Sequence, residues 1–367
     1  MLRVLHVTDR LSPSDGGPPR ACLQMAEALA ARGHQVSVFA SDMVEPGEPP
    51  FPALWHQGTA EIRCFPIGRP RIWRRSPALG QALAEAIPHA HVVHIHSLWL
   101  WHCWIAADLC QRHRIPYVIS PHGNLFSVIQ TQRPWRKEPM NLLFQRRSLA
   151  RAAAIHFTAD FERQHAVWPG LENRGLVVPL GVDPQALFPP PKRRVDTAPR
   201  LLFLARLHPC KGLDLLAAAL IAVAPVWPTL HLTVAGADAG SLDVFRHVIT
   251  AAGLEPRVEI VGPVEGEAKW ALMDQADLFI LPSRRENFGL AVVEAMARGL
   301  PVLITSGVAI AEDITGTGAG WAPKPEPRAV AEALATALAE RALWPARGAA
   351  GRRLVETRFS WPVVAPQ

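Results

Sequence analysis

The sequence contains few cysteines and no long apolar run, and each shortage excludes a class of protein. Its 367 residues include five cysteines, at positions 22, 64, 103, 110 and 210, in no spacing typical of a zinc site or a redox motif. An odd number of scattered cysteines favours reduced thiols and predicts a cytoplasmic protein. The first residues predict a strand rather than a signal peptide. The longest apolar stretch, 215–227, contains Pro225 and is too short to span a bilayer.

Two further absences concern cofactors. No Asp-x-Asp pair occurs, so the sequence does not support a divalent cation held by such carboxylates. The alternating histidines 89, 91, 94 and 96 have no carboxylate or cysteine partner at a ligand spacing, and we expect no metal site. The sequence also lacks Gly-x-Gly-x-x-Gly after its first predicted strand, which argues against a dinucleotide-dependent oxidoreductase.

The length and composition favour a folded protein of two domains. The chain is 49% hydrophobic and 19% charged, within the range of folded soluble proteins. The run Pro189 to Pro191, followed by three basic residues, is the best candidate for a linker. We therefore predict an N-terminal domain at 1–185, a linker at 186–195 and a second domain at 196–345. The remaining tail, 346–367, is expected to return towards the first domain.

Short apolar strands alternate with helical segments in both halves. The predicted strands are 4–8, 36–40, 92–96, 117–120, 201–205, 230–235, 258–261, 278–281 and 302–304. Such alternation predicts an α/β protein with two Rossmann-like, doubly wound domains that face each other across a cleft. In open sheets of this kind, ligands bind beyond the carboxyl ends of the strands.

The segment ENFGLAVVE gives the most specific chemical signal. Glu286 and Glu294 are separated by seven residues, and Gly289 marks the start of a predicted helix. The first backbone N–H groups of that helix, around Leu290, have no partner within the helix and suit a phosphate. The two carboxylates could accept hydrogen bonds from two groups of hydroxyls. The alternative is a solvent-facing helix with two surface glutamates.

Three other segments follow predicted strands. Gly16 and Gly17 let the backbone approach a ligand closely, although a tight turn would need them as well. Arg206 ends a strand and Lys211 begins a helix, so the two could neutralise a diphosphate or could simply be exposed cations. His122, in Pro-His-Gly-Asn, could bind a reacting sugar and transfer a proton, whereas lone histidines are more often structural.

The positive charge is concentrated in the first half. Before residue 188 there are 19 basic and 14 acidic residues, against 19 and 18 afterwards. Five tryptophans also lie in this half, at positions 73, 99, 101, 104 and 135, and arginines flank Trp73 and Trp135. This pattern is typical of a membrane interface or an anionic acceptor site, and equally of side chains that surround a core. Nucleic acid is not expected, because no recognised binding motif accompanies the charge.

Five motifs occur in an order that resembles the family 4 retaining glycosyltransferases (glycosyl transferases group 1) of the GT-B fold. They are the Gly-Gly loop, Pro-His-Gly-Asn, Pro-Leu-Gly-Val-Asp (179–183), Ala-Arg-Leu-His-Pro-Cys-Lys-Gly-Leu (205–213) and the Glu-x7-Glu motif (286–294). The resemblance extends from about residue 3 to Trp361. The last two motifs together are specific, whereas the first two are not.

The resemblance implies that the domain at 1–185 binds the acceptor and that at 196–345 the nucleotide sugar, and it implies a role for each matching residue. Arg206 and Lys211 would hold the diphosphate of a nucleotide sugar, Glu286 would meet sugar hydroxyls and Glu294 the ribose. Backbone amides around Phe288, Gly289 and Leu290 would complete the donor site. Gly16 and Gly17 would approach the donor from the first domain, and His122 would lie near the sugar and the acceptor. Of these residues, the expected catalytic set is His122, Glu286, Arg206 and Lys211.

The resemblance also implies a reaction. It predicts a retaining transfer of sugar from a nucleotide-diphosphate sugar to a hydroxyl of a glycan or lipid-linked acceptor, in bacterial surface polysaccharide synthesis. No nucleophilic carboxylate and no obligatory divalent metal are expected. Two alternatives stay open: a nucleotide-sugar epimerase of the same fold and a non-catalytic nucleotide-sugar-binding subunit. The expected location is the cytoplasm, with possible peripheral contact at the anionic inner face of the cell membrane.

Overall fold

The computed structural model describes residues 1–12, 16–44, 50–69, 74–131, 134–168, 174–189 and 198–367. Its contacts divide the chain into two compact units, Met1–Gly181 with Val364–Gln367, and Val182–Val363. The proline-rich and basic part of the predicted linker, 190–195, lies outside the described residues.

The first unit is built on an eight-stranded sheet. Its strands are β1 Arg3–Arg10, β2 Gln35–Ser41, β3 Leu54–Gln57, β4 Ala60–Phe65, β5 Val92–His96, β6 Tyr117–Ser120, β7 Ala154–Phe157 and β8 Gly175–Val177. The strand order is β3-β4-β2-β1-β5-β6-β7-β8. Every pair is parallel except β3 with β4. The helices are α1 Gly17–Ala31, α2 Pro77–Ala86, α3 Trp101–His113, α4 Ser127–Gln130, α5 Pro134–Met140, α6 Arg146–Arg151 and α7 Asp160–His165.

Alternation along the strands builds a core on each face of this sheet. Successive side chains of a strand point to opposite faces. In β1, Leu5 belongs to a cluster that includes residues of α2 and α3, whereas Val4 belongs to a cluster that includes residues of α1. A sheet that is covered on both sides is the usual environment of parallel strands.

The second unit contains a six-stranded parallel sheet. Its strands are β9 Arg200–Leu204, β10 His231–Ala235, β11 Val258–Gly262, β12 Leu278–Leu281, β13 Val302–Ile304 and β14 Gly320–Trp321, in the order β11-β10-β9-β12-β13-β14. The helices are α8 Leu213–Val223, α9 Leu242–Ala251, α10 Gly266–Gln275, α11 Leu290–Ala297, α12 Ala311–Thr317, α13 Pro327–Ala339 and α14 Trp344–Leu354. A last helix, α15 Trp361–Val364, spans the boundary between the units.

Both sheets reverse their strand order at one point. Disregarding the antiparallel edge strand β3, each follows the doubly wound order in which the first strand of the unit lies between the second and the fourth. The reversal falls between β1 and β5 in the first unit and between β9 and β12 in the second. Ligands of such sheets bind beyond the carboxyl ends of the strands at this point.

The predicted α/β class and the two Rossmann-like domains are confirmed. All nine predicted strands are present within two residues of their expected ends. The sequence analysis did not identify β3, β4, β7, β8 and β14. These strands are short or lie towards a sheet edge, where an apolar run is weak and pairing with a neighbour decides the conformation.

Gly212 allows two loops of the second unit to touch. It has φ 74° at the start of α8, in the left-handed region that disfavours residues with a Cβ. A Cβ built on Gly212 would lie 2.0 Å from the backbone oxygen of Pro282, just beyond β12. The backbones of the loops after β9 and after β12 are therefore in direct contact.

We expect Gly212→Ala to destabilise the protein more than Gly253→Ala. Gly253 also has a positive φ, 66°, but an added Cβ there meets nothing within 4 Å. The control should lose about 1–2 kcal/mol from the left-handed backbone alone. Gly212→Ala should lose at least about 1 kcal/mol more because the Pro282 backbone must move. Urea unfolding of both variants measures the difference, and equal losses would contradict the close approach.

Candidate functional site

The candidate site of the second unit lies where its strand order reverses. β9 and β12 are parallel neighbours, with Leu201 opposite Leu278. The loop after β9 contains Arg206 and Lys211, and the loop after β12 contains Glu286 and Gly289. The fold therefore brings together two motifs that lie about 80 residues apart in the chain.

The loop after β9 is a cationic turn. His208 caps the 3-10 helix Pro209–Lys211 by accepting a hydrogen bond from the Cys210 backbone N–H at 3.1 Å. Partial burial, followed by the positive charges of Arg206, Lys211 and Arg285, lowers the pKa of His208. The charges of three cations, two from this loop and one from the loop after β12, thus act on the same imidazole. The sequence analysis named Arg206 and Lys211 but missed His208 and Arg285.

Arg284 ties the two loops together. Its Nη1 and Nη2 donate to the two carboxylate oxygens of Asp214 at 2.7 and 2.5 Å, and its backbone N–H donates to the Cys210 carbonyl at 2.8 Å. The Arg284 guanidinium lowers the pKa of Asp214. A bidentate salt bridge of this kind fixes the orientation of the guanidinium as well as its distance from the carboxylate. Arg284 therefore has a structural role, whereas its neighbour Arg285 adds to the positive charge around His208.

Glu286 pairs with Lys211 through their side chains. Its backbone is held as well, since Glu286 N–H donates to the Gly307 carbonyl at 2.9 Å and its own carbonyl accepts from Ala309 N–H at 3.0 Å. These bonds place the carboxylate beside the cationic turn. Lys211 and Glu286, predicted from separate motifs, thus form one charged pair.

The chain enters α11 through Gly289. Its φ of 88° and ψ of 57° are left-handed, and the helix begins at Leu290. The first N–H groups of a helix have no partner inside it, so this turn presents backbone donors next to the cationic loop. The Phe288 ring is buried and packs edge-on against Phe359, with ring centroids 5.5 Å apart. Only the backbone of Phe288 is therefore placed to act in a site.

Glu294 is buried and paired. Its Oε1 accepts from Lys269 Nζ at 2.8 Å, and the two side chains are only 4% and 2% exposed. The structure thus rejects the alternative that Glu294 is a surface residue. Lys269, on α10, was missed because nothing in the sequence distinguishes it from an exposed lysine of a polar helix.

The first unit holds the other predicted residues. Gly16 has φ 78° and precedes α1, which begins at Gly17 and continues with Pro18 and Pro19. His122 follows β6 with φ 49°, an unusual conformation for a residue with a side chain. Burial lowers the pKa of His122 to about 3, with a further contribution from His156. The neutral imidazole is therefore the form present near pH 7.

His122 lies at the end of a row of histidines. His96 Nδ1 lies 3.0 Å from His122 Nε2, and His6 Nδ1 lies 3.0 Å from His96 Nε2. His6, Cys22 and His96 also bring one potential metal-ligating atom each to within 4.8 Å of one another. The spacing analysis found no cysteine partner for the histidines, because Cys22 comes from α1 and only folding brings it close.

The tryptophans of the basic half separate into two groups. Trp99 and Trp101 are buried, and Trp99 Nε1 donates to Asn141 Oδ1 at 2.7 Å. These two rings belong to the core, so the membrane interpretation is wrong for them. Trp104 is partly exposed and Trp135 is 68% exposed. Trp73 lies outside the described residues.

Comparison with known proteins identifies both halves of the chain. The model of "Glycosyl transferase 4-like domain" matches residues 16–181, and the model of "Glycosyl transferases group 1" matches residues 186–353. The chain is 30% identical over 314 residues to the GDP-mannose:cellobiosyl-diphosphopolyprenol alpha-mannosyltransferase of Xanthomonas oryzae pv. oryzae, covering 82% of this chain and 78% of the relative.

Solved structures share the fold over the whole chain. Sucrose-phosphate synthase from Thermosynechococcus elongatus superposes with a TM-score of 0.81 at 21% identity, covering 100% of this chain and 97% of that one. The Anabaena protein Alr3699/HepE, in complex with UDP-glucose, gives a TM-score of 0.78 at 19% identity, covering 100% and 98%. At these identities the likeness establishes the fold.

The buried pair of Lys269 and Glu294 predicts how single and double substitutions change the free energy of unfolding. Lys269→Met should cost about 3–5 kcal/mol, because it leaves the buried carboxylate of Glu294 without its cation. The double variant Lys269→Met/Glu294→Leu should recover most of that loss, since two apolar side chains replace the pair. Urea unfolding of the single and double variants measures both values. A double variant as unstable as Lys269→Met alone would contradict this account.

Proposed function

The chain belongs to the glycosyl transferases group 1 family and is a glycosyltransferase, and we propose that its donor is a nucleoside-diphosphate sugar. The acceptor in this proposal is a hydroxyl of a glycan or of a lipid-linked saccharide in bacterial surface polysaccharide synthesis. The supporting observation is the turn at the strand reversal of the second unit, where Lys211 pairs with Glu286 and the positive charges of Arg206, Lys211 and Arg285 act on the same His208 ring. A diphosphate is the part of the donor that needs such a concentration of charge.

Charge neutralisation at this turn suits the chemistry of the leaving group. When the bond between the sugar and the diphosphate breaks, negative charge grows on the phosphate oxygens. Guanidinium and ammonium groups fixed in advance, together with the amides at the start of α11, stabilise that charge without rearranging. Because these cations supply the neutralisation, the proposed reaction has no obligatory divalent metal.

The retaining outcome in this proposal needs no protein nucleophile. The acceptor hydroxyl would attack from the face that the diphosphate leaves, and a phosphate oxygen would take its proton. Catalysis then depends mainly on positioning and on stabilising the leaving group. The proposed contacts of Glu286 are with sugar hydroxyls and those of Glu294 with the ribose, where Lys269 holds the carboxylate in place. His122, Gly16 and Gly17 complete the set from the first unit.

Two of the similar proteins suggest which nucleotide bases to test first. One relative is named for GDP-mannose, and one structural neighbour was solved with UDP-glucose. We therefore expect a thermal shift of this chain with GDP or with UDP, and none with NAD. At 100 times its dissociation constant, a ligand adds about 2.7 kcal/mol of stability, which raises the melting temperature by a few degrees.

The ligand-induced shift should disappear in Lys211→Ala and fall in Arg285→Ala. Arg328→Ala is the matched control, because Arg328 is an exposed cation of α13 that pairs with Glu332. Each variant is compared with and without nucleotide, so a change in its own stability cancels. A shift that persists in Lys211→Ala, or none with any nucleoside diphosphate, would remove the basis of this donor site. Product analysis with the responding donor then tests for a new glycoside, as opposed to an isomerised sugar.

The described helices lack the combination of length and hydropathy needed to cross a bilayer. The segment of the first unit from α4 to α6 contains four exposed apolar side chains, Val128, Trp135, Leu142 and Leu143, which form the apolar part of the membrane-contact surface in this proposal. These four side chains are 52%, 68%, 68% and 75% exposed. The exposed cations Arg146, Arg147 and Arg151 follow directly along the chain.

Apolar residues flanked by arginines match the interface of an anionic membrane. We therefore place the protein, within this proposal, in the cytoplasm and at the inner face of the cell membrane. All five cysteines are free, as a reducing compartment would leave them.

Reversal of two of these charges tests the membrane contact. Arg146→Glu/Arg147→Glu should weaken binding to vesicles that contain anionic lipid by at least about tenfold at low salt, since each basic residue near the surface contributes about 1 kcal/mol. Trp135→Ser should weaken it as well, whereas Arg328→Glu and Val244→Ser, on the second unit, should not. Vesicle flotation measures the bound fraction. Equal loss in the control variants, or no binding by the parent protein, would eliminate this surface as the contact.

A further inference from the structure

The row of histidines in the first unit joins His122 to the interior of the domain. His122 Nε2 lies 3.0 Å from His96 Nδ1, and His96 Nε2 lies 3.0 Å from His6 Nδ1. The three rings come from β1, β5 and the turn after β6, across the strand reversal of the sheet. His6 and His96 are 0% and 1% exposed. Both nitrogens of His96 are therefore used, one on each side.

Burial keeps all three rings neutral. Desolvation lowers the pKa of His6 to about 4 and that of His122 to about 3, and lowers the pKa of His96 well below its usual value. A neutral imidazole has one N–H donor and one acceptor nitrogen. The two hydrogen bonds of His96 must therefore run in one direction, and the tautomer of one ring fixes those of the other two.

Beside this row lies a second one, formed by His94, Ser120 and His156. A backbone carbonyl fixes the direction in which its hydrogen bonds are donated. His156 Nε2 donates to the Val178 carbonyl at 2.7 Å, so its Nδ1 accepts from Ser120 Oγ at 2.8 Å. Ser120 Oγ then accepts from His94 Nε2 at 2.7 Å. The ring of His94 stacks on that of His96 with centroids 4.4 Å apart. A positive charge on either row would repel the other, which reinforces their neutrality.

The environment of His6, at the inner end of the first row, indicates in which direction the hydrogen bonds of that row are donated. His6 Nε2 is buried and has no hydrogen-bond partner among the residues that the structure describes. Buried N–H groups without a partner are rarer in native structures than acceptors without one. His6 therefore carries its hydrogen on Nδ1 and donates to His96 Nε2. His96 in turn donates from Nδ1 to His122 Nε2, which leaves the hydrogen of His122 on Nδ1.

We propose that His96, backed by His6, is a positioning residue that holds the ring of His122 in the Nδ1–H tautomer as a hydrogen-bond donor. The partner of that N–H is an oxygen of the bound sugar nucleotide, so this inference rests on the proposed function. His122 would then orient the donor and would not act as a general base, because its Nε2 lone pair is occupied by His96. The loop itself is held separately, since Gly123 N–H donates to the buried Glu162 carboxylate at 2.7 Å.

The test compares His96→Leu with His96→Asn, two variants of nearly the same shape. Leucine removes the hydrogen bond to His122, whereas the asparagine amide lies close to the position of the ring Nδ1 and can still donate. We expect His96→Leu to lower kcat about tenfold with little change in KM for the donor, and His96→Asn to recover most of the loss. In a His122→Ala background, His96→Leu should have no further effect.

Nitrogen-15 NMR of the histidine rings tests the tautomer without any turnover. The resonances of His122, assigned by comparison with His122→Ala, should show a protonated Nδ1 in the parent protein and a mixture of tautomers in His96→Leu. The NMR measurement separates a failure of the proposed function from a failure of the inference about His96. If the protein has no transferase activity but still shows the Nδ1–H tautomer, only the proposed function is contradicted.

Three results would overturn the inference. They are a protonated Nε2 on His122 in the parent protein, equal losses of kcat in the leucine and asparagine variants, and a stoichiometric metal ion bound by His6, Cys22 and His96. In the last case the rings of His6 and His96 would ligate the metal and would not be hydrogen-bonded to each other. If His96→Leu does not fold, two other results still test the inference. The parent protein must show the Nδ1–H tautomer of His122, and His96→Asn must retain most of the parent kcat.

Discussion

The backbone contact between Gly212 and Pro282 is the constraint on which the candidate donor site depends. β9 and β12 are parallel neighbours, so their following loops leave the sheet side by side. A residue without a Cβ lets these loops come within contact distance, and the two-pronged pair of Arg284 with Asp214 fixes them there. Lys211 from one loop can then meet Glu286 from the other. Without this approach, two charged motifs would lie on a common sheet edge but not form one site.

The two units use electrostatics in opposite ways. The site residues of the second unit combine partly exposed charges at a helix start, where solvent and paired carboxylates limit the cost of concentrated positive charge. In the first unit, histidines are buried together, and desolvation keeps them neutral. Neutral rings are directional donors and acceptors, so the row suits the orientation of a group and not the neutralisation of a phosphate. This division follows the proposed chemistry, in which charge builds on the diphosphate.

Much of the site was predictable because its residues follow strands that the sequence displays clearly. Arg206, Lys211, Glu286 and Gly289 lie directly after apolar runs bounded by Pro or Gly, and the order of the motifs indicated the family. The residues that support them were not predictable in the same way. Lys269 and Asp214 have ordinary local sequence and His96 lies in a run of histidines that indicated no role, and the roles of all three arise from contacts with residues 25, 70 and 26 positions away. Local periodicity contains no information about such pairs.

The amino-acid sequence alone indicated the α/β class and the two doubly wound domains, because apolar periodicity and glycine positions act through local backbone geometry, and the order of five motifs indicated the family. Which polar residues are buried, and what each of them faces, depended on the tertiary structure. It placed Trp99 in the core and Trp135 at the surface, although both tryptophans belong to the basic half of the chain. It also buried Glu294 against Lys269 and aligned three histidines from separate strands and turns. Burial depends on the packing of distant segments, and burial sets whether an ionisable group is paired, neutral or charged.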